Sequence, residues 1–306
     1  MSILPHRALA RTGCAILALA LTLSGPGVHA MPAQASPKVA VGPQYDTTHV
    51  YLAPGDVDRF VQSFVATFGG RSTKQVIATV TPTPSSTTSQ LVQTPVGTVS
   101  VFGFQTPVPY PFGAERTGYL VADTDAAVKA ARQAGADVLV APFPDPIGLD
   151  AVIQWPGGVN MQLYWHAAKP AYAPFATIPE NRVYVSADRA RPFVTSFLAF
   201  SQGKVVSDVA KASGSEIGRP GQSYRRIRIG SAFGRMSVMV TDGHLPYPFG
   251  REVTGYEVAD LDDTLAKAFA AGVRVLRPPE TSDDRISAFV EFPGGYVAEV
   301  HASAAH

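Results

Sequence analysis

The chain repeats itself once, and that repeat governs what it can fold into. Pro109-Tyr110-Pro111-Phe112-Gly113 returns as Pro246-Tyr247-Pro248-Phe249-Gly250, and Thr117-Gly118-Tyr119-Leu120-Val121-Ala122-Asp123 returns as Thr254-Gly255-Tyr256-Glu257-Val258-Ala259-Asp260. The offset is 137 residues and is kept at Trp155-Pro156-Gly157-Gly158 against Phe292-Pro293-Gly294-Gly295. Upstream it becomes 133, where His49-Val50-Tyr51-Leu52 matches Arg182-Val183-Tyr184-Val185. Collinearity over this distance means two homologous globular units, because solenoid repeats recur every 20 to 50 residues or so. The units are expected at 46–167 and 180–303, each with its own core. Between them, 168–179 carries Pro170, Pro174 and Pro179, which make a stiff, helix-averse linker.

Of the 306 residues, 46% are hydrophobic and only 16% charged, against about 25% charged in a typical globular chain. There is ample material for packed cores, and global disorder is excluded. With 25 basic residues against 24 acidic, the excess that a nucleic-acid binder needs is missing. The first thirty residues are set apart. Arg7 and Arg11 precede the apolar run Ala15–Leu23, and Val28-His29-Ala30 closes a stretch of small residues, the layout of a secretory signal peptide. The apolar run is too short to span a bilayer comfortably, which takes about 20 apolar residues, so no membrane association is expected after cleavage. Cleavage is expected after Ala30, or after Ala35, followed by a flexible segment to residue 45. The only cysteine, Cys14, lies upstream of the apolar run, so export discards the one thiol and excludes disulfides and thiolate chemistry. The expected location is periplasmic or secreted.

Within each unit the order of elements is strand, helix, strands, then strand, helix, strands again. Val57, Phe60, Val61, Phe64 and Phe68 follow helical spacing up to Gly69-Gly70, and Phe193, Val194, Phe197 and Leu198 repeat it before Gly203. Second helices begin near Asp123 and Asp260 and stop at Gly135 and Gly272, where glycine can take the left-handed cap conformation. Strands are predicted at 99–104 and 236–240. The Thr-, Ser- and Pro-rich 81–90 stretch reads as a flexible hairpin loop. The repeated Pro-Tyr-Pro-Phe-Gly reads as a rigid connector whose aromatics pack on the sheets, or whose Tyr110 and Tyr247 line ligand entrances.

Val121-Ala122-Asp123-Thr124-Asp125-Ala126-Ala127, Ala134-Gly135-Ala136-Asp137-Val138 and Pro156-Gly157-Gly158-Val159-Asn160-Met161-Gln162-Leu163 resemble the second module of a vicinal-oxygen-chelate domain. That superfamily includes glyoxalase I, the bleomycin-resistance proteins and the extradiol dioxygenases. The resemblance covers both units and implies an α+β fold, two tandem domains of paired βαβββ modules, each curling sheets around a cavity. It leaves function open, because the superfamily holds both metal enzymes and metal-free binders.

Strand alternation turns one side of each strand to the cavity. In 159–166 that side is Asn160, Gln162, Tyr164 and His166, opposite Met161, Leu163 and Trp165; in the first strand it is His49 and Tyr51. The resemblance places family metal ligands at His49, Arg116 and Gln162 in the first unit and at Arg182, Val253 and Glu299 in the second. A catalytic divalent site needs about three ligands of imidazole, carboxylate or similar type. Neither unit supplies them: arginine is no ligand, and valine offers nothing. The reading is therefore a small organic ligand bound by His49, Arg116, Gln162, Tyr164, Arg182, Glu257 and Glu299 with no cofactor assigned. The alternatives are a metal-dependent glyoxalase- or dioxygenase-like enzyme, with His49 and Gln162 in the shell, and an envelope scaffold. Arg182 and Glu299 are expected to form a bidentate pair where a cation would otherwise sit.

Overall fold

The computed structural model describes residues 38–282 and 285–304; the expected leader and both cleavage points lie outside the described residues. The first unit is a curled nine-stranded sheet made of β1 (Thr47–Leu52), β2 (Arg71–Ser72), β3 (Val76–Ala78), β4 (Thr87–Thr94), β5 (Gly97–Phe104), β6 (Thr117–Leu120), β7 (Asp137–Pro144), β8 (Gly148–Trp155) and β9 (Val159–His166). Its order is β2-β4-β5-β1-β6-β9-β8-β7, with β3 on β4. The second unit is a curled sheet of β10 (Glu180–Val185), β11 (Lys204–Ser213), β12 (Ser223–Ser231), β13 (Gly234–Val240), β14 (Val253–Glu257), β15 (Arg274–Ser282), β16 (Arg285–Phe292) and β17 (Tyr296–Ser303). It runs β11-β12-β13-β10-β14-β17-β16-β15, the same order. In each unit two modules join at a short antiparallel contact, Thr47 opposite Gly118 and Glu180 opposite Gly255.

Each module carries one helix: α1 (Val57–Phe68), α2 (Thr124–Gln133), α3 (Ala187–Ser201) and α4 (Leu261–Ala270). Asp123 caps α2 by accepting the Ala126 N–H at 2.7 Å, and Asp260 caps α4 by accepting from Asp263 at 2.9 Å, each satisfying an otherwise orphaned helix donor. Gly135 and Gly272 follow these helices at φ 97° and 83°, a region that costs an L side chain strain.

The expectation of one core per unit is overturned by how the helices pack. Phe60 and Phe64 of α1 meet Phe292 and Tyr296 of the second sheet, and Phe64 also meets Tyr256. Reciprocally, Phe197 and Phe200 of α3 pack on Trp155 of the first sheet, and Phe233 stacks on Tyr119 at 4.3 Å between ring centroids. The two large apolar clusters are therefore each drawn from both units, first module with fourth and second with third. Sheets pair the modules one way and helix faces pair them the other. The physical reason is area: a curled sheet offers its convex face outward, its own helices cover it only in part, and the other unit's helix and sheet complete the cover.

Three local expectations also change. Within 81–90, only residues up to 86 are loop; Thr87–Gln90 belong to β4 and pair with β5, as β-branched threonine favours. The segment before residue 46 is not free over its described part: Val39 and Ala40 are buried, Ala40 bridges Val121, and the Ala122 N–H donates to the Val39 carbonyl. In the repeated connectors Phe112 and Phe249 are buried while Tyr110 and Tyr247 stand exposed, so the two aromatics divide rather than pack together.

Candidate functional site

The concave faces of the two sheets differ. In the second, Ala212, Ile217, Tyr224, Met239, Phe249, Val253, Phe289 and Val297 pack as an apolar cluster. In the first, the corresponding cluster is only Phe112, Phe143 and Val152, and a cavity of about 360 Å³ remains. Its floor is laid by β1 (Thr47, His49, Tyr51), β5 (Ser100, Phe102), β8 (Asp150) and β9 (Gln162, Tyr164, His166). Its rim is residues 73–80, where the edge strand is broken between β2 and β3, and the turn at 145–147.

His49, Gln162 and Tyr164 thus share one cavity, whereas Arg116 does not line it. Arg116 lies in a small crevice between the units with Thr48, Arg251, Glu252 and Tyr296, its guanidinium 5.9 Å from the Tyr51 ring centre. The acid one residue earlier takes the inner position. Glu115 is fully buried, accepts a hydrogen bond from the Tyr51 hydroxyl, and stands 3.5 Å from His49 Nδ1. Strand alternation fails here because β6 starts only at Thr117, so its two-residue period does not reach back to the connector. The repeat held the clue, since Glu115 recurs as Glu252 two residues before each Thr-Gly.

Gly118 explains why Thr-Gly-Tyr is kept. A Cβ there would run into His49 Nε2, the Thr47 hydroxyl and the Tyr164 ring; at Gly255 it would run into the Glu299 carboxylate and press on His301. Both glycines make room for polar groups on the concave face.

Asp150, 6% exposed, was not anticipated from the sequence. Burial, then Asp145 and Glu115, hold its carboxyl well above the usual range, against a hydrogen bond with the Gln162 side chain. Burial likewise pushes His166 down and the Tyr51 and Tyr164 hydroxyls up.

A three-ligand metal site does not assemble from these groups. His49 Nδ1 is directed at Glu115, Glu115 is engaged by Tyr51, and the Gln162 amide is engaged by Asp150. Among the described residues no three of His, Cys, Asp and Glu are grouped to hold an ion. His49 with Gln162 does not supply the missing donors.

In the second unit Arg182 and Glu299 do meet, at 3.4 Å, but as part of a five-residue network rather than a bidentate pair. The bidentate contact is Arg285 to Glu180, at 3.1 and 3.0 Å. Arg182 also reaches Glu180 at 3.2 Å, and His301 Nδ1 lies 2.8 Å from Glu299. All five side chains are buried. Buried as they are, the two carboxylates are held low by their guanidinium partners, Glu299 to about 2, from an ordinary value of 4.5. A smaller hollow of about 170 Å³ near Glu216 and Phe249 does not reach Arg182 or Glu299. Glu257 stands apart at the rim, paired with Arg235 at 2.7 Å, because β14 has passed the end of β10 there.

Two curled sheets of paired βαβββ modules, one with a larger hollow than the other, define a tandem vicinal-oxygen-chelate fold. Solved structures agree. A triple variant of 4-hydroxymandelate synthase from Streptomyces coelicolor aligns with TM-score 0.58 at 13% identity, over 87% of this chain and 94% of that one. The Mn(II)-bound glyoxalase from Novosphingobium aromaticivorans aligns at 0.53 and 13%, over 85% and 82%. The 2,3-dioxygenase LapB from Pseudomonas sp. KL28 aligns at 0.50 and 12%, over 85% and 92%. At these identities the likeness is one of fold. No family model matches the sequence, and neither does any curated protein.

Proposed function

We propose that the protein is exported and binds a small organic molecule in the cavity of its first unit, the second unit serving as a more tightly packed structural counterpart. The observation that carries this reading is the asymmetry of the two concave faces: one is packed with eight buried apolar residues and a buried charge network and keeps about 170 Å³, the other keeps about 360 Å³ with His49, Asp150, Gln162 and Tyr164 converging on it. The lining mixes aromatic walls with a few polar groups, as sites for small organic molecules do. The leader-like first thirty residues support export, and Mass spectrometry of the secreted chain, expected to begin near Met31 or Ser36, checks that part.

The binding claim is tested with a neutral solvatochromic probe, N-phenyl-1-naphthylamine. Saturable 1:1 fluorescence enhancement is expected for the native chain. Ser100→Trp, placed on the cavity floor opposite His49, should abolish it without lowering the melting temperature. Absence of saturable binding, or undiminished binding by Ser100→Trp, defeats the reading.

A further inference from the structure

The second unit contains a clue to what the first unit's cavity accepts. Sheet register makes the two units superposable strand for strand: Gly118 pairs with Gln162 as Gly255 pairs with Glu299, Asp150 lies opposite Tyr164 as Ser287 lies opposite His301, and Gly148 lies opposite His166 as Arg285 lies opposite Ser303. In the second unit a cation, the Arg285 guanidinium, extends from the start of β16 over the concave face. It is held there by Glu180 and lies 3.6 Å from Glu299. The first unit has a glycine, Gly148, at that place, and no arginine is among the residues lining its cavity.

The first unit does keep a buried acid on the same face. Asp150 lies two residues along β8 from Gly148, its side chain engaged by the Gln162 amide and by no cation. Among the described residues lining the cavity, Lys74 is the only permanently charged base, and it is exposed on the rim. Asp145 adds a second acid at the mouth. Buried acids of this kind are costly unless a cation compensates them, and the raised proton affinity of Asp150 reflects that lack. Tyr51, Phe102 and Tyr164 offer aromatic faces and edges around the same space, and ring faces attract cations electrostatically.

We infer that the ligand of the first unit is an organic cation, a protonated amine or guanidine on an aromatic or alkyl body, whose charged head meets Asp150 as the Arg285 head meets Glu180 in the other unit. The inference rests on the binding function proposed above and adds the charge and class of the ligand. The apolar body lies against Tyr51, Phe102 and Phe112.

The experiment uses the full chain and three probes of similar shape: 2-phenylethylammonium, 2-phenylethanol and 3-phenylpropanoate, each titrated as a competitor of N-phenyl-1-naphthylamine. The ammonium should compete about tenfold more strongly than the alcohol, and the carboxylate should be weakest. Asp150→Asn should bring the ammonium down to the level of the alcohol, read as the ratio of the two competitors within that variant, and its urea denaturation reports that the variant is folded. If the alcohol competes as well as the ammonium, or the carboxylate competes best, the inference is wrong while the cavity reading stands. If the naphthylamine binds but none of the three competes, the inference is likewise overturned. If the naphthylamine itself does not bind, both fall.

Discussion

At the scale of single residues, charge burial separates the two units. Glu299 is fully buried between Arg182, Arg285 and His301, so Glu299→Ala leaves two guanidinium groups inside with only one carboxylate, Glu180, to compensate them. A loss of about 3 to 5 kcal/mol is expected by urea denaturation, against at most about 1 kcal/mol for an exposed pair such as Lys267–Asp263. Glu180 and Glu299 are held below their ordinary value, so the stability they contribute is present above about pH 4.5 and drains away as pH falls towards 2. Glu252 has the opposite sign. Partly buried in the crevice between units, its carboxyl is pushed up to about 7 by burial, despite the Thr117 hydroxyl and Arg116. The folded state therefore prefers it protonated, and stability falls as pH rises from about 4.5 through 7. Glu252→Gln should melt higher than the native chain at pH 8 and at the same temperature at pH 4, as calorimetry would show.

At the scale of elements, the helices carry the contact between units. Phe64 is fully buried and touches Phe60, Phe68, Tyr256, Phe292 and Tyr296, so it belongs energetically to both sheets. Phe64→Ala is expected to cost about 3 to 5 kcal/mol in chemical denaturation, with partial loss of the aromatic signal from the second sheet as well as the first. These helices were legible in the sequence because apolar residues at a period of 3.6 and capping aspartates with terminal glycines are local signals. Which sheet the apolar face would cover was not legible: the pattern of Phe60, Val61 and Phe64 says only that one face is buried. The broken edge at β2 and β3, which opens the cavity, also escaped, because strands of two and three residues are too short to show a two-residue period.

At the scale of the whole molecule, each module has one partner through its sheet and another through its helix face, which closes the four modules into one cooperative body. Chains cut within 171–177 should therefore not unfold as two independent domains. Each half alone would expose the apolar faces of its two helices and aggregate or remain loosely packed, whereas co-expressed halves should reassociate. The uncut chain should show a single calorimetric transition whose van't Hoff and calorimetric enthalpies agree. Two separate transitions, or well-folded soluble halves, would contradict the shared cores.

The sequence by itself determined the duplication, the order of elements and the faces of β1 and β9, since each follows from local periodicity or from matching one unit onto the other, while the nearness of Arg182 to Glu299 was implied by the family resemblance. The tertiary structure decided the rest. It put Glu115 instead of Arg116 beside His49, because the connector into β6 is not a strand and obeys no two-residue period. It brought Arg285 and Glu180 into the Glu299 network, and Asp150 to the Gln162 side chain, from strands whose pairing has no local signal. It also decided that one concave face keeps about twice the hollow of the other, about 360 against about 170 Å³, because that depends on the summed volume of side chains meeting from several strands, a quantity no single stretch of sequence contains.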